Sequence, residues 1–224
     1  MTNARNLIIA PHPDDEVLGC GGVIRKLTNK GMTVIVLIMT RGKKEKYSDE
    51  KILTVRNEAL KAHKILGVTE TRFLDFPAPE LDMVPLAEIS DAIYRIIKDY
   101  EVDTVFIPHR GDIHHDHKVV FNAAMVASRP VGRSNIRRIY SYETLSETEW
   151  SIPSGDEYFI PNTFVDITEV MPFKLEAMKC YKSQLREFPN PRSLEAIKAL
   201  SRYRGSTVGF KHAESLITLR NILQ

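Results

Sequence analysis

The chain alternates short apolar runs with longer amphipathic stretches, and this alternation limits the folds that it can adopt. The runs 6–12 and 32–40 are apolar almost throughout, which is typical of strands covered on both faces of a sheet. Stretches with helical spacing follow both runs, and the first two end at Gly31 and Gly67. This strand–helix–strand order predicts an α/β fold, with a mostly parallel sheet and helices on both faces.

The predicted elements cover most of the chain. Strands are predicted at 6–12, 32–40, 70–77, 103–109, 137–143 and, weakened by a proline, 159–168. Helices are predicted at 16–30, 50–66, 85–100, 116–128, 171–185 and 193–204. No repeat, low-complexity tract or linker interrupts this order, so we expect a single domain that spans residues 1–224.

Composition and charge narrow the class of protein. The 224 residues are 43% hydrophobic and carry a formal net charge of +2, which gives no strong attraction to nucleic acid or to an anionic membrane. No apolar stretch approaches the length of a membrane span, and the N-terminus lacks the layout of a signal peptide. Cys20 and Cys180 are too few for a disulfide scaffold, so we expect a cytoplasmic protein.

Titratable residues follow two of the predicted strands, at the point where each strand ends. The segment 12–16 reads His-Pro-Asp-Asp-Glu, and the segment 109–117 holds four of the seven histidines. In an open α/β sheet, ligands bind beyond the carboxyl ends of the strands. The sequence therefore predicts that both segments contribute to one functional site.

The residue types in these segments suit a metal ion. Imidazole and carboxylate groups are ligands of zinc, and a catalytic zinc commonly takes three protein ligands and leaves one position for water. His12 and Asp15 are three residues apart at a tight turn, and His114 and His117 have the same spacing at a predicted helix start. The alternative is ordinary helix capping by Asp14 or Asp15, with 114–117 as a solvated helix start.

Two sequence signatures resemble those of a known family. The segment APHPDDEVLGCGG (10–22) is similar to the first signature of the LmbE-like, or PIG-L, family of zinc-dependent de-N-acetylases, and HHDH (114–117) is similar to the second. Weaker similarities lie at 55–68, 181–184 and 204–215. The resemblance implies a Rossmann-like fold, a homo-oligomer, and hydrolysis of the N-acetyl group of an amino sugar or glycoside.

The resemblance also implies roles for individual residues. His12, Asp15 and His117 correspond to the zinc ligands, Asp14 to the general base, and His114 to the group that faces the reacting carbonyl. Ferrous iron suits the same ligand set in a reducing cell.

Three further residues have weaker support. Asp116 is expected to orient a charged His114, and its alternative role is to cap the following helix. Arg56 aligns with an arginine that contacts substrate in relatives, and the alternative is an exposed helix arginine. Asp112 is expected to bind a sugar hydroxyl or only to cap a helix. The chain departs from the family at His115, where many relatives have proline, and at Ala78, where many have an aspartate.

Two other functions remain open from the sequence. The same site suits cleavage of another amide, such as that of a thiol–sugar conjugate, because zinc-bound water attacks a carbonyl whatever the rest of the molecule is. A sugar- or nucleotide-binding module without turnover is the other alternative, since a fold does not determine a function.

Overall fold

A computed structural model describes residues 4–132 and 135–223, so the predicted domain ends at residues 1 and 224 lie outside this range. The strands are β1 (Arg5–Ala10), β2 (Thr33–Gly42), β3 (Glu70–Ala78), β4 (Thr104–Pro108), β5 (Arg138–Tyr142), β6 (Thr163–Asp166) and β7 (Ala213–Asn221). The helices are α1 (Asp15–Asn29), α2 (Asp49–Leu66), α3 (Leu86–Asp99), α4 (His115–Ala127), α5 (Met171–Cys180) and α6 (Leu194–Ser206), with short 3₁₀ turns at Leu81–Met83 and Gly155–Glu157.

All seven strands form one sheet in the order β3-β2-β1-β4-β5-β7-β6. β1 to β5 pair in parallel, and β7 runs antiparallel between β5 and β6. The predicted single α/β domain with a mostly parallel sheet is therefore confirmed. No helix among the described residues has both the length and the apolar character needed to cross a bilayer.

The continuous apolar runs are explained by two hydrophobic layers, one on each face of the sheet. Ile8 and Val36 pack with α1, α2 and α5 on one face. Leu7 and Ile35, their neighbours along the strands, pack with α3 and α4 on the other. Because successive strand residues point to opposite faces, a strand covered on both sides is apolar at every position.

The order of the strands brings the two polar segments together. The chain adds β2 and β3 on one side of β1 and then returns to place β4 on the other side, where β1 and β4 pair in parallel. This reversal is a topological switch point, and the carboxyl ends of the two strands flank the crevice there. His12 follows β1 and His109 follows β4, so both segments open into that crevice.

Glycines let α1 lie close to the sheet, which sets the position of the turn before it. A Cβ atom at Gly19 would lie 2.2 Å from a ring carbon of Tyr142, and one at Gly22 would lie 2.6 Å from Ile167. Real side chains do not tolerate such distances, so these positions require glycine. The Gly-rich start of α1 is therefore a site of close backbone approach.

The structure differs from the predicted elements in its last third. β7 was not predicted, because Glu214 interrupts its apolar pattern although this side chain is only 4% exposed. Its carboxylate accepts the N–H groups of Gly22 and Val23 and pairs with the buried Lys174 at 2.6 Å. The helix predicted to continue to residue 185 ends at Cys180, where the chain enters turns.

Candidate active site

The first polar segment forms a tight turn between β1 and α1. Asp14 precedes the helix with φ 103° and ψ −26°, a left-handed backbone conformation that is strained for a residue with a Cβ atom. Its carbonyl accepts the N–H groups of Val17 and Leu18, whereas its side chain makes no capping hydrogen bond. The N–H of His12 donates to Asp15 Oδ2 at 2.8 Å. The Asp14 carboxylate therefore does not cap α1, which was the alternative role for this residue.

The second polar segment begins α4 with a histidine as its cap. His114 precedes the helix, and its Nδ1 accepts the backbone N–H of Asp116 at 3.1 Å. His117, in the first turn of α4, is fully buried, whereas His115 between them is exposed. Capping by Asp116 was the alternative for that residue, and the structure gives this role to His114.

The three residues predicted as metal ligands lie together at the crevice. One ligand atom from each of His12, Asp15 and His117 falls within 4.8 Å of the other two. Asp15 Oδ2 is 3.3 Å from His12 Nδ1 and 3.2 Å from His117 Nε2. Two imidazoles and one carboxylate form a set that binds zinc or ferrous iron in other proteins.

Unpartnered polar atoms show that these residues fit a cation. Asp15 Oδ1 and His117 Nε2 are buried, and neither has a hydrogen-bond partner among the described residues. A buried polar atom without a partner costs about 1–3 kcal/mol, so proteins rarely leave two side by side. A divalent cation between the three side chains would supply the missing partner for both atoms.

The electrostatics of the three side chains also favour positive charge. Burial alone would raise the pKa of Asp15, but His117 and His12 outweigh it and hold this pKa well below its usual range. Burial lowers the pKa of His12, but hydrogen bonds to Asp116 and Asp15 raise it to about 9. Burial also lowers the pKa of His117, but Asp15 and Asp112 outweigh this effect and hold the pKa well above its usual range. The cluster is thus built to hold a cation.

The second ring nitrogen of each imidazole in the cluster lies within hydrogen-bonding distance of another carboxylate. Asp116 Oδ2 lies 2.9 Å from His12 Nε2, and Asp112 Oδ2 lies 2.8 Å from His117 Nδ1. Metal-binding histidines commonly donate their second ring N–H to a carboxylate, which fixes the tautomer and the orientation of the ring. This arrangement leaves His12 Nδ1 and His117 Nε2 facing Asp15.

These contacts correct two predicted roles. Asp116 was expected to orient His114, but its carboxylate contacts His12 and the backbone N–H of Leu81, and its contact with His114 runs through the backbone. Asp112 was expected to bind a sugar hydroxyl. It has no exposed surface, and its second oxygen accepts the hydroxyl of Thr148 at 2.6 Å. Both carboxylates contact histidine rings, Asp116 that of His12 and Asp112 that of His117, because the fold buries these carboxylates away from solvent.

We expect replacement of Asp112 with asparagine to weaken metal binding about 10- to 100-fold, the usual cost of losing a carboxylate that orients a histidine ligand. Asparagine has a similar shape, but it removes the charge that supports the His117 ring. Competition with a chelator of known affinity measures the change. Replacement of Thr148 with valine is the milder companion, since it keeps the Asp112 carboxylate and removes the hydroxyl that donates to Asp112 and accepts the N–H of Thr144. Unchanged affinity in the Asp112 variant would contradict the orienting role.

The candidate base Asp14 lies beside the cluster with an unpartnered oxygen. Its side chain is 1% exposed, and Oδ2 has no hydrogen-bond partner among the described residues. Burial raises the pKa of Asp14 to about 8, although the attraction of Arg192 acts in the opposite direction. A carboxylate with a raised pKa near neutrality is suited to accept and return a proton.

Arg192 is a residue of this site that the sequence did not indicate. Its Nη1 lies 3.5 Å from Asp14 Oδ2, its Nη2 lies 3.4 Å from Glu147, and its Nε donates to Ser146 Oγ at 2.7 Å. The guanidinium thus links Asp14 to the loop after β5. Arg192 stands in a segment without periodicity, far from both signatures, so no local signal marks it.

His114 forms the accessible side of the site. Its ring is half-buried, and its centroid lies 4.5 Å from that of His12 and 5.7 Å from that of His117. Burial and the charge of His12 lower the pKa of His114 to about 4. A metal cation at the same place acts in the same direction, so this imidazole is neutral near pH 7. This environment therefore disfavours the charged form of His114 that was expected from the sequence.

Arg56 lies against β3. It donates to the carbonyl of Leu74 at 3.0 Å and to Asp75 at 2.6 Å, and its guanidinium lies 4.9 Å from the centroid of the Phe73 ring. These contacts do not join Arg56 to the histidine–aspartate cluster. Its contact with a substrate stays a prediction.

Comparisons with known proteins find relatives of this chain. The model of the PIG-L family, described as GlcNAc-PI de-N-acetylase, matches residues 7–128, a range that includes both polar segments. The chain is 34% identical over 183 residues to the uncharacterized deacetylase YaiS of Escherichia coli, an alignment that covers 79% of this chain and 90% of the relative.

An archaeal enzyme and a solved structure extend the likeness to nearly the whole chain. The diacetylchitobiose deacetylase of Thermococcus kodakarensis is 31% identical over 222 residues, covering 94% of this chain and 81% of the relative. The crystal structure of the conserved protein TT1542 from Thermus thermophilus superposes with a TM-score of 0.77 at 27% identity, covering 99% of this chain and 97% of the other. By its matched sequence, its fold and its histidine–aspartate cluster, this chain belongs to the PIG-L family.

Proposed function

We propose that this protein is a metal-dependent hydrolase that removes the acetyl group from an N-acetylated amino sugar or glycoside, with a single domain that spans the whole chain. The observation that carries the proposal is the cluster of His12, Asp15 and His117 with the buried Asp14 carboxylate beside it, whose Oδ2 accepts no hydrogen bond from the described residues. The family description and the deacetylases among the relatives support the choice of bond.

His12 Nδ1, Asp15 and His117 Nε2 face one another in the crevice and would hold the metal. A divalent cation in such a site lowers the pKa of water and polarises a carbonyl group. Zinc is the metal we propose, and ferrous iron is the alternative, because the same nitrogen and oxygen ligands accept both.

Asp14 moves the proton of the reaction. As the oxygen of water forms a bond to the acetyl carbon, the Asp14 carboxylate accepts the proton that water releases. The same carboxyl group then returns the proton to the sugar nitrogen as the carbon–nitrogen bond breaks, so that acetic acid and a free amine form. The acid gives its remaining proton to the amine, and acetate and the ammonium form of the sugar leave. Its burial keeps the proton affinity high enough for both steps.

His114 stabilises the negative charge that develops on the acetyl oxygen. Because Nδ1 accepts the backbone N–H of Asp116, the proton of the neutral ring is on Nε2. This N–H is a fixed donor at the accessible side of the site, and a donor fixed in advance stabilises a transition state without reorganisation. The neutral tautomer replaces the charged form that the sequence suggested.

Acetate release from a panel of substrates tests the proposal. The protein is stripped of metal, reloaded with zinc or, without oxygen, with ferrous iron, and assayed against N-acetylglucosamine, diacetylchitobiose and N-acetylglucosaminyl glycosides. We expect acetate and free amine in equal amounts from at least one substrate, abolished by chelator and restored by metal. Amide conjugates of thiols and sugars form a second panel. Turnover of this panel alone would show an amidase for another bond, and no turnover of either would contradict the hydrolase.

A further inference from the structure

A second carboxylate, that of Glu16, lies two residues after the candidate base and is fully buried. One of its oxygens, Oε2, accepts the backbone N–H of Asp14 at 3.1 Å. The other, Oε1, accepts the hydroxyl of Tyr181 at 2.5 Å and lies 3.0 Å from His63 Nε2. Three donors from three parts of the chain therefore converge on one carboxylate.

The groups around Glu16 are themselves fixed. Glu16 and Tyr181 are fully buried, and His63 is 2% exposed. His63 Nδ1 lies 2.7 Å from the hydroxyl of Thr71, so a neutral ring that donates from Nε2 to Glu16 accepts at Nδ1 from the threonine. This chain of hydrogen bonds joins the start of α1 to α2, β3 and the end of α5. We call Glu16, Tyr181, His63 and Thr71 the Glu16 network.

The strained residue in the turn is the one that this network holds. Asp14 has a φ of 103°, a region that non-glycine residues occupy only when their surroundings require it. The orientation of its N–H, which Glu16 determines, is coupled to φ and hence to the direction in which the carboxylate leaves the backbone.

We propose that Glu16, Tyr181 and His63 are positioning residues, which hold Asp14 in its left-handed conformation and thereby aim its carboxylate at the reacting group. This inference rests on the proposed function, because it assigns a purpose to the conformation of the base. It predicts that loss of the network slows the chemical step and leaves metal binding and substrate binding intact.

Two variants of the network test this, with one matched control. Tyr181→Phe removes a single hydroxyl from the network. Glu16→Gln places an NH₂ group where the network needs an acceptor for three donors. The control is Tyr142→Phe, because Tyr142 is also fully buried and its hydroxyl donates one hydrogen bond, at 2.8 Å, to the carbonyl of Ile9 outside the network.

Changes in kcat at constant KM are the expected result. A small displacement of a reacting group, or the loss of a supporting bond, costs about 10- to 100-fold in rate. We therefore expect kcat to fall about tenfold in Tyr181→Phe and about 100-fold in Glu16→Gln. KM and metal content are expected to stay at wild-type values. Tyr142→Phe is expected to lose as much thermal stability as Tyr181→Phe and to keep its kcat, which separates positioning from general stabilisation.

Either of two kinetic or metal-binding results would overturn the inference. The first is a wild-type kcat in both network variants, and the second is a loss of metal that accounts for the whole loss of rate. A crystal structure of the Glu16→Gln variant provides a test that needs no activity: a changed backbone at Asp14 supports the network, and a φ still near 103° contradicts it. If the wild-type protein releases no acetate, the proposed hydrolase is wrong, and this structural comparison still decides the role of Glu16.

Discussion

Replacement of Asp14 with asparagine is expected to lower kcat about a thousandfold, because general acid–base catalysis contributes about 10²- to 10⁴-fold and asparagine cannot accept a proton. The metal is expected to stay bound, since Asp14 is not among the three clustered ligands. Acetate release at saturating substrate and metal analysis of the same sample measure both quantities. Turnover close to that of the wild type would reject Asp14 as the base.

Stability measurements show whether the Asp14 variant loses activity by unfolding. The pKa of this carboxyl group is raised from 3.8 to about 8 by burial. The folded protein therefore binds a proton more tightly than the unfolded chain, and the resulting stabilisation is present at low pH and lost as the pH rises through about 8. Without metal, the unfolding free energy of the asparagine variant relative to that of the wild type is expected to rise from about pH 4 to about pH 8. A variant that loses stability relative to the wild type over this range would contradict this.

Replacement of His12 with alanine is expected to have the second large effect, which is loss of the metal. Among the described residues this cluster offers three ligands, and the variant keeps two of them, Asp15 and His117. Loss of a residue that orients a metal ligand already costs about 10- to 100-fold in metal affinity. Removal of a ligand itself is therefore expected to raise the Kd of zinc by more than about 100-fold. Isothermal titration of the metal-free protein with zinc, using a competing chelator, measures this constant.

His115 provides the matched control for this experiment. It belongs to the same histidine-rich segment as His117, but it is exposed and lies outside the cluster. The His115→Ala variant is expected to bind zinc as the wild type does and to keep its rate of acetate release. Full zinc occupancy in the His12 variant, or loss of zinc in the His115 variant, would remove His12 from the set of ligands.

Much of the fold could be predicted from local pattern because burial leaves a periodic signal. Strands covered on both faces are apolar at every position, as in 6–12 and 32–40, and helices covered on one face show a period of about 3.6 residues. The ends of the first and fourth strands are marked by a proline and a histidine. Since parallel strands end at the same edge, the meeting of 12–16 with 109–117 followed from the predicted topology.

The errors have a common physical cause, which is that charged side chains were assumed to face water or substrate. Glu214 is buried because Lys174 and two backbone N–H groups compensate its charge. A glutamate within the strand interrupts the apolar pattern, so β7 was not predicted. Asp112 is buried because it orients His117 and accepts a hydrogen bond from Thr148 in the loop after β5. In each example a partner lies on another element, so the neighbouring residues in the sequence carry no sign of it.

The sequence alone determined the α/β architecture, the positions of both polar segments, and the types of ligand that a metal would find there. Only the tertiary structure decided which carboxylate supports which histidine, that Arg192 reaches Asp14, and that Glu16 holds the strained turn. The reason is the range of the interactions. Periodicity and turn chemistry act between residues close in the chain, whereas the contact between Tyr181 and Glu16 spans 165 positions and exists only once the sheet has assembled.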